Sequence, residues 1–217
     1  MPIFTIEGNV GAGKTTLLKY FEENNPEYFV CYEPVEEWIN FKLNPGEKSI
    51  FELFYEDKKK YAFVFQMMAL QSRFENLQKT IEQNKDKIII CERSIFTDYE
   101  VFAKLQKQEG NISDIELHVY EKWHAFFMNM LKPDIRGIIY LQTDPTICIE
   151  RIHKRNRKGE ENCSHVYLEH LHTMHENWLQ TQKIAPVLTI DGFSKSYLLA
   201  PAINTFIKEQ TNSLQAS

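Results

Sequence analysis

The stretch IFTIEGNVGAGKTT, which runs from Ile3 to Thr16, decides the fold. Its first four residues are apolar or β-branched and are typical of a buried strand. The eight residues from Gly8 to Thr15 match the pattern G-x-x-x-x-G-K-[ST] at every fixed position, and a helical pattern follows them. A strand, a glycine-rich turn and a helix in this order are typical of a loop that wraps phosphate groups with its backbone N–H groups.

Within this loop, Lys14 can reach the β- and γ-phosphates of a nucleotide, and Thr15 can ligate Mg²⁺. The structural alternative is a glycine-rich turn with a chance lysine, which the complete pattern and its context disfavour. The residues predicted here to bind ATP are Gly8, Asn9, Val10, Gly11, Ala12, Gly13, Lys14, Thr15 and Thr16.

Four more short apolar runs follow along the chain, at residues 29–32, 88–91, 137–141 and 187–190. Helical patterns alternate with them, near residues 14–23, 50–84, 95–107, 113–131, 145–155, 166–183 and 198–211. Short β-rich runs that alternate with helices indicate a parallel sheet covered on both faces. The predicted fold class is therefore α/β, with a five-stranded parallel sheet flanked by helices. The polar residues 209–217 are expected to be flexible.

The composition excludes several classes of protein. The 217 residues are 43% hydrophobic and 25% charged, which is ordinary for a globular chain, and a single domain is predicted over residues 1–217. The net charge of −5 argues against a nucleic-acid partner. No apolar run reaches the roughly 18 residues of a membrane span, so no membrane partner is expected. The start of the chain lacks a basic leader, which favours a cytoplasmic location.

The cysteines and histidines give only a weak metal signal. The four cysteines form no C-x-x-C pair and are predicted to be reduced, buried thiols. His165 and His170 have H-x₄-H spacing close to Cys163, so a zinc site is conceivable. Spacing alone is weak support for zinc, and no cysteine pair completes the site.

Two acidic residues follow neighbouring apolar runs. Glu33 comes after the second run, and Glu92 comes after the third, directly before Arg93. Ligands of a doubly wound sheet gather at the carboxyl ends of its strands. Glu33 could therefore accept the proton of an attacking hydroxyl, Glu92 could hold Mg²⁺, and Arg93 could neutralise charge on a transferred phosphoryl group. The structural alternative is that both acids form loop caps or ion pairs.

Arg151, Arg155 and Arg157 lie at the end of a helical pattern. Such a loop can close over the ATP phosphates and offset their negative charge. The alternative is a solvated basic helix end, which the helix dipole favours.

Taken together, these segments resemble the deoxynucleoside kinase family, which includes deoxycytidine, deoxyguanosine and mitochondrial thymidine kinases and a multisubstrate insect enzyme. The resemblance extends from residue 3 to about residue 206. The segments that carry it, in chain order, are the loop Gly8–Thr16, Glu33-Pro34-Val35 with Trp38, Phe65-Gln66 with Arg73, Glu92-Arg93-Ser94 with Asp98 and Phe102, and the basic run Arg151–Arg157 followed by Glu160-Glu161.

The resemblance implies a P-loop kinase fold with an arginine-rich lid at about residues 151–164. It implies that Mg²⁺-ATP phosphorylates the 5′-hydroxyl of deoxyribonucleosides for nucleotide salvage, with Glu33 as the general base and with Arg93 and Lys14 beside it. It also implies a homodimer formed by the helices near residues 50–84 and 113–131.

The same resemblance implies the remaining contacts. Tyr55 would hold the sugar 3′-hydroxyl with one of Glu160 and Glu161. Glu161 is favoured from the spacing Glu161-Asn162-Cys163, and the segment departs from the family pattern at Lys158-Gly159, which looks like a one-residue insertion. The implied nucleoside contacts are Glu33, Trp38, Phe51, Phe54, Tyr55, Phe65, Gln66, Ala69, Arg73, Arg93, Asp98, Phe102 and Glu161, with Val10 lining the pocket. Thr15 and Glu92 would hold the metal, and Arg151, Arg155, Arg157 and Phe193 would contact ATP.

Base preference depends on Ala69, Arg73 and Asp98. The Arg73–Asp98 combination resembles the deoxycytidine and deoxyguanosine kinase branch, whereas the thymidine-accepting branch carries apolar residues at these positions. A charged pair there would crowd the 5-methyl group of thymidine. Deoxycytidine and deoxypurines are therefore expected over thymidine. The structural alternative is that Arg73 and Asp98 form only an ion pair. A thymidine-preferring or broad enzyme is the alternative within the family. More distant alternatives are a thymidylate kinase, a GTPase, a nucleic-acid end kinase and a catalytically silent nucleotide-binding protein.

Overall fold

The computed structural model describes residues 1–212. Five strands form one sheet, and every pairing in it is parallel, in the order β2-β3-β1-β4-β5. The strands are β1 (Ile3–Glu7), β2 (Tyr28–Cys31), β3 (Ile88–Glu92), β4 (Ile135–Gln142) and β5 (Val187–Asp191). All five coincide with the predicted apolar runs to within two residues. The predicted strands are therefore confirmed, and β1 lies at the centre of the sheet.

The helices fill the connections between the strands. They are α1 (Lys14–Asn24), α2 (Val35–Asn40), α3 (Ile50–Glu56), α4 (Lys58–Gln83), α5 (Ile95–Thr97), α6 (Lys104–Gln108), α7 (Asp114–Leu131), α8 (Pro145–Arg155), α9 (His165–Thr181) and α10 (Ser196–Asn212). A π-helical segment, Asp98–Ala103, lies between α5 and α6, and a 3₁₀ turn, Glu160–Asn162, precedes α9.

Both faces of the sheet are covered. On one face, Phe4 and Ile6 of β1 pack into a cluster that includes residues of α1, α9 and α10. On the other face, Ile3 packs into a cluster with residues of α4 and α7. Because successive side chains of a strand point to opposite faces, this division follows from the alternation along β1.

Three elements differ from the sequence prediction. The helix predicted over residues 50–84 is interrupted at Asp57, whose side chain accepts a hydrogen bond from the backbone N–H of Lys60 and so caps α4. The short helix α2 was not predicted. The predicted helix near residues 95–107 contains the π-helical segment. A side-chain cap at Asp57 and a widened turn at Asp98–Ala103 account for two of these differences.

The chain end agrees only in part with its prediction. Residues 209–217 were expected to be flexible, but α10 continues to Asn212, and residues 213–217 lie outside the described part of the chain. None of the helices within residues 1–212 has both the length and the apolar character needed to cross a membrane.

Candidate active site

The phosphate loop connects β1 to α1 at the carboxyl edge of the central strand. Gly8 and Gly11 have φ angles of 146° and 81°, a region that residues with a Cβ rarely adopt. A Cβ on Gly8 would lie 2.7 Å from the carbonyl oxygen of Leu141, and one on Gly11 would lie 2.5 Å from that of Cys148. Both positions therefore need glycine for their conformation and for the close approach of a second backbone.

Lys14 begins α1, and its side chain turns back over the loop. Its Nζ donates hydrogen bonds to the carbonyl oxygens of Gly8 at 3.2 Å and Asn9 at 2.8 Å. Burial, assisted by repulsion from Arg93, lowers the pKa of Lys14 to about 8. A phosphate group at this place would favour the charged form of the lysine.

Asn9, which was predicted to bind ATP, has a side chain that serves the protein itself. Its Nδ2 donates to the carbonyl oxygen of Leu168 in α9 at 2.8 Å, and its Oδ1 accepts from the backbone N–H of Val10. The side chain therefore fastens the phosphate loop to α9, and only its backbone remains for a nucleotide.

Thr15 and Glu92 meet at the edge of the sheet. The hydroxyl of Thr15 lies 2.8 Å and 3.0 Å from the two carboxylate oxygens of Glu92, which ends β3. Among residues 1–212, no group of three or more His, Cys, Asp or Glu could hold a metal ion. The predicted zinc alternative therefore finds no support in this part of the chain. A hydroxyl and a carboxylate do suit Mg²⁺, which usually takes one or two protein oxygens together with substrate phosphates.

Glu33 lies two residues beyond the end of β2, between two guanidinium groups. One of its carboxylate oxygens accepts a hydrogen bond from Arg93 at 2.5 Å, and the other accepts one from Arg73. Burial alone would raise the pKa of Glu33, but the charges of Arg93 and Arg73 outweigh it, and the pKa lies below its usual value. Glu33 is therefore an ionised proton acceptor at neutral pH.

A cavity of about 270 Å³, here called the inner cavity, lies between the phosphate loop, α2, α3 and α4. Nine residues predicted to contact or surround a nucleoside lie on its surface. They are Val10, Glu33, Trp38, Phe51, Phe54, Tyr55, Phe65, Arg93 and Phe102. The structure thus brings together residues from five separate segments of the chain.

Aromatic packing fixes the walls of the inner cavity. Phe54 and Phe65 stack with ring centres 4.5 Å apart, and Trp38 meets Phe65 edge-on at 5.5 Å. The indole N–H of Trp38 donates to the hydroxyl of Ser72 at 2.8 Å, which fixes the orientation of the ring. These contacts leave flat apolar surfaces of the kind that a nucleobase can stack against.

Four predicted nucleoside contacts lie behind these walls instead. Gln66, Ala69, Arg73 and Asp98 are at most 6% exposed, and none of them is among the residues that line the inner cavity in the described chain. Arg73 connects Asp98 to Glu33 through one guanidinium group. Burial outweighs this pairing at Asp98 and raises the pKa of its carboxyl to about 6.

The structure places Glu160, and not Glu161, at the inner cavity. Glu160 is 2% exposed and accepts hydrogen bonds from Arg155 at 2.7 Å and 2.6 Å. Glu161 is exposed and accepts a hydrogen bond from the backbone N–H of Gly159. The glutamate that lines the inner cavity is therefore Glu160 and not the favoured Glu161. The physical reason is the 3₁₀ turn, which points its first acidic residue inward toward the arginines.

A second cavity of about 570 Å³, here called the outer cavity, lies on the other side of the phosphate loop. Thr16, Arg151 and Phe193 lie on its surface, and Phe193 is 70% exposed. Arg151 donates to the carbonyl oxygens of Ala12 at 2.7 Å and Gly192 at 3.0 Å, so it links α8 to two backbone segments of this cavity.

The two cavities share one set of residues where they meet. These shared residues are Gly11, Lys14, Thr15, Glu92, Arg155 and Arg157. The arrangement can hold a polyphosphate on one side and a second small molecule on the other, with the charged groups at the junction.

Some residues of the inner cavity were missed by the sequence analysis. They are Lys19, Tyr32, Val35, Glu36 and Tyr167. Tyr32 follows the end of β2 directly, so the rule that ligands gather at strand ends could have found it. Tyr167 lies on α9, where nothing in the sequence pattern distinguishes it from a core residue.

The comparisons with known proteins agree with this geometry. The sequence model of the family described as deoxynucleoside kinase matches residues 4–214. Deoxycytidine kinase 2 of Gallus gallus is 34% identical over 86% of this chain and 80% of its own length. The mitochondrial deoxyguanosine kinase of Xenopus laevis is 31% identical, over 84% and 74%, and the deoxycytidine kinase of Homo sapiens is 29% identical, over 86% and 82%.

These matches confirm the resemblance noted in the sequence and the predicted fold class. Each of the three relatives is named a deoxycytidine or a deoxyguanosine kinase, so the thymidylate kinase, GTPase and catalytically silent alternatives are not favoured. The family model covers nearly the whole chain, including every segment that contributes to the two cavities. The chain therefore belongs to the deoxynucleoside kinase family.

Proposed function

We propose that this protein transfers the γ-phosphoryl group of ATP to the 5′-hydroxyl of a deoxyribonucleoside. The observation that carries the proposal is the meeting of the two cavities at Lys14, Thr15, Glu92, Arg155 and Arg157. ATP would occupy the outer cavity, with its phosphates along the loop, and the nucleoside would occupy the inner cavity. The transferred group would then cross the junction.

Glu33 is the proposed general base. It lies on the nucleoside side, it is ionised, and each oxygen of a carboxylate keeps a lone pair beyond the one that accepts from an arginine. It would accept the proton of the 5′-hydroxyl while Arg93 and Lys14 stabilise the charge on the phosphoryl group. Positioning and electrostatics supply most of the catalysis in phosphoryl transfer.

The Thr15 hydroxyl and the Glu92 carboxylate are the groups that would hold Mg²⁺. They already lie within hydrogen-bond distance of each other next to the phosphate loop. Bound there, the ion would neutralise part of the charge of the ATP phosphates. We place no other protein ligand on it.

Residues 151–164 form the proposed lid. Arg155 and Arg157 line both cavities and pair with Glu160, so one acidic side chain connects the phosphate-binding arginines to the inner cavity. Glu160 and Tyr55 would hold the sugar 3′-hydroxyl. Occupancy of the sugar site would thereby favour the lid position that completes the phosphate site.

We propose a preference for deoxycytidine and deoxypurines over thymidine. The Arg73–Asp98 pair and Gln66 form a polar group behind the aromatic walls. To contact the base directly, Arg73 would have to give up one of its ion pairs with Glu33 and Asp98 and donate a hydrogen bond to the edge of the base instead. A buried polar group of this kind discriminates strongly against a ligand that leaves it unpaired. The names of the deoxycytidine and deoxyguanosine kinase relatives support the same preference.

A homodimer is the proposed assembly. Five large apolar residues of α7 are between 39% and 69% exposed: Ile115, Val119, Trp123, Phe126 and Met130. At 100° per residue they fall within an arc of about 80° and so form one stripe along the helix. Val64 on the neighbouring α4 is 53% exposed. A second copy of the chain would cover this surface. The cytoplasmic location predicted from the sequence stays a prediction.

The proposed activity is tested by measuring Mg²⁺-dependent ATP consumption with deoxycytidine, deoxyadenosine, deoxyguanosine, thymidine and thymidine monophosphate in parallel. We expect turnover of the first three above that of thymidine. If thymidine gave the highest turnover, the deoxynucleoside kinase activity would be supported and the proposed base preference would be wrong. Turnover of the monophosphate alone would remove Glu33 from its proposed role.

A further inference from the structure

Glu7 is a buried acid that the proposed reaction does not use. It is the last residue of β1, it is 0% exposed, and it directly precedes the phosphate loop. One carboxyl oxygen accepts a hydrogen bond from the hydroxyl of Thr97 at 2.5 Å, and the other has no hydrogen-bond partner among the described residues. Burial raises the pKa of Glu7, against the nearby hydroxyl groups of Thr97 and Ser94 and the charge of Arg93, which lower it.

A short chain of hydrogen bonds leads from Glu7 to the residue after Arg93. The hydroxyl proton of Thr97 goes to Glu7, so the hydroxyl of Ser94 donates to Thr97, at 3.0 Å. Ser94 also accepts from the backbone N–H of Thr97 at 3.3 Å and thereby caps α5. Both hydrogen bonds of Ser94 hold the turn between β3 and α5 in place.

Arg93 needs this support because of its backbone. Its φ angle is 63°, in the left-handed region that residues other than glycine rarely adopt. Its guanidinium group donates to Glu33 and, at 3.2 Å, to the carbonyl oxygen of Gly8, the residue directly after Glu7. The contacts from Glu7 through Thr97 and Ser94 to Arg93 therefore form a closed ring, because Arg93 binds the residue next to Glu7.

We propose that Glu7 is a positioning residue of the phosphoryl-transfer site, which acts through Thr97 and Ser94 to hold Arg93 in its left-handed conformation against Glu33. The inference rests on the proposed roles of Arg93 and Glu33. Fold stability does not account for a carboxyl group here, because an apolar side chain of similar size would fill the same place without the cost of burying a polar group.

The first test removes single hydrogen bonds. Thr97→Val deletes the donor to Glu7 with little change of shape, and we expect kcat to fall at least about tenfold while KM for the nucleoside changes less than about threefold. Thr97→Ser restores the hydroxyl and should recover most of this loss. Thr80→Val is the matched control, because it is another buried threonine, and within residues 1–212 its hydroxyl donates a hydrogen bond to the thiol of Cys31.

The second test asks whether Glu7 and Thr97 act as a unit. Glu7→Leu should lower kcat as much as Thr97→Val, and the double variant should be no slower than either single variant by more than about twofold, because both remove the same hydrogen bond. Glu7→Gln keeps an acceptor for Thr97 and should retain at least about a third of kcat. Multiplied losses in the double variant would overturn the inference.

A pH profile separates positioning from a general loss of stability. Four charged groups lower the pKa of Glu33, and Arg93 has the largest effect. The other three are Arg73, Lys14 and Arg157. If Thr97→Val misaligns Arg93, the acid limb of kcat/KM must move to higher pH, and it must not move in Thr80→Val. A loss of kcat with an unmoved acid limb would leave only a structural role and overturn the inference.

Arg93→Lys in the same assay distinguishes this inference from the proposed function. If Arg93→Lys keeps the wild-type kcat, the proposed role of Arg93 is wrong. The positioning role of Glu7, which depends on it, is then wrong as well. If Arg93→Lys loses kcat while Thr97→Val keeps it, the proposed function stands and the positioning role of Glu7 alone is wrong.

Discussion

At the scale of single residues, Glu33 combines a low pKa with a fixed position. Arg93 and Arg73 hold its two oxygens, so the carboxylate cannot rotate away from the inner cavity without losing a charged hydrogen bond. A base with a low pKa is weak in solution, and its contribution here depends on its placement next to the substrate hydroxyl.

Glu33→Gln should lower kcat at least about a hundredfold, because the amide keeps the shape of the side chain but cannot accept the proton. Nucleoside binding should stay within about threefold of the wild type, since the walls of the cavity are unchanged. Steady-state kinetics and titration calorimetry with the nucleoside measure the two quantities. Glu37→Gln, an exposed change on the short helix α2 that follows Glu33, is the control. Wild-type turnover in Glu33→Gln would exclude Glu33 as the base.

His175 offers a prediction about stability. It is 0% exposed, its Nδ1 lies 2.7 Å from the carbonyl oxygen of Leu171, and burial lowers its pKa to about 3. Well above pH 6.5 the histidine is neutral in both the folded and the unfolded chain. As the pH falls from about 6.5 toward 3, only the unfolded chain takes up the proton, so the free energy of unfolding decreases.

His175→Asn keeps a donor for the Leu171 carbonyl and removes this titration. Between pH 6 and pH 5 the variant should lose about 1 kcal/mol less of its free energy of unfolding than the wild type. Denaturant unfolding at the two pH values measures the difference, which cancels the contribution of other groups such as Asp98. His153→Asn, at an exposed position of α8, should behave as the wild type does. Equal losses in His175→Asn and the wild type would contradict the prediction.

Individual site residues were predictable where a motif or a strand end marks them. Lys14, Thr15, Glu33 and Glu92 come from such positions, and the structure brings all four to the surface of the inner cavity. The choice between neighbouring acids was not predictable, because Glu160 differs from its neighbour only in the direction that a 3₁₀ turn gives it. Sequence spacing does not determine that direction.

At the scale of elements, α4 connects the inner cavity to the core. Phe65 faces the cavity, and Arg73, two turns further along, lies behind the wall and reaches both Glu33 and Asp98. One helix therefore carries a cavity wall and a charged group that is paired with the proposed base. Under the proposed function, Arg73 would take part in both base recognition and the positioning of the general base.

Replacing the pair by apolar side chains should change base preference. Arg73→Met with Asp98→Ala removes both charges together and leaves space near the base, so the ratio of kcat/KM for thymidine to that for deoxycytidine should rise at least about tenfold. Kinetics with the two nucleosides measure the ratio. Lys79→Met, an exposed change on α4, is the control.

Because Arg73 also pairs with Glu33, the double variant should lose part of kcat with every nucleoside, and only the ratio reports on recognition. An unchanged ratio would mean that the pair orients Glu33 without reading the base. The sequence predicted the pairing of these residues from family likeness. It could not predict that they lie behind the aromatic walls. Helical spacing shows which face of α4 a residue is on, but it does not show how far the residue lies from the cavity.

At the scale of the whole molecule, the alternation of apolar runs with helical patterns was sufficient to predict the sheet. Each strand is too short and too apolar to be stable outside a covered sheet. Its length and composition therefore already indicate that both of its faces are buried. The break at Asp57 was hidden, because apolar residues keep the same period on both sides of it. The volumes of the cavities depend on how α2, α3 and α4 pack, which no local pattern records.

The exposed stripe of α7 gives a prediction for the assembly. Its neighbour α4 packs against it through Phe74 and Phe127, whose rings stack at 4.4 Å, so the two helices form one rigid surface. Trp123 and Phe126 lie near the middle of the stripe, 46% and 51% exposed. Large aromatic residues near the centre of an interface carry most of its binding energy.

Trp123→Glu with Phe126→Glu should therefore convert a dimer of about twice the 25.7 kDa chain mass into a monomer. Light scattering after gel filtration measures the mass. Leu43→Glu with Phe41→Glu removes two exposed apolar side chains from a different surface, before α3, and should leave the dimer intact.

Neither active-site cavity is lined by residues of α7, so the monomer should keep its nucleoside affinity within about threefold. A wild-type chain that elutes as a monomer at micromolar concentration would contradict the proposed homodimer.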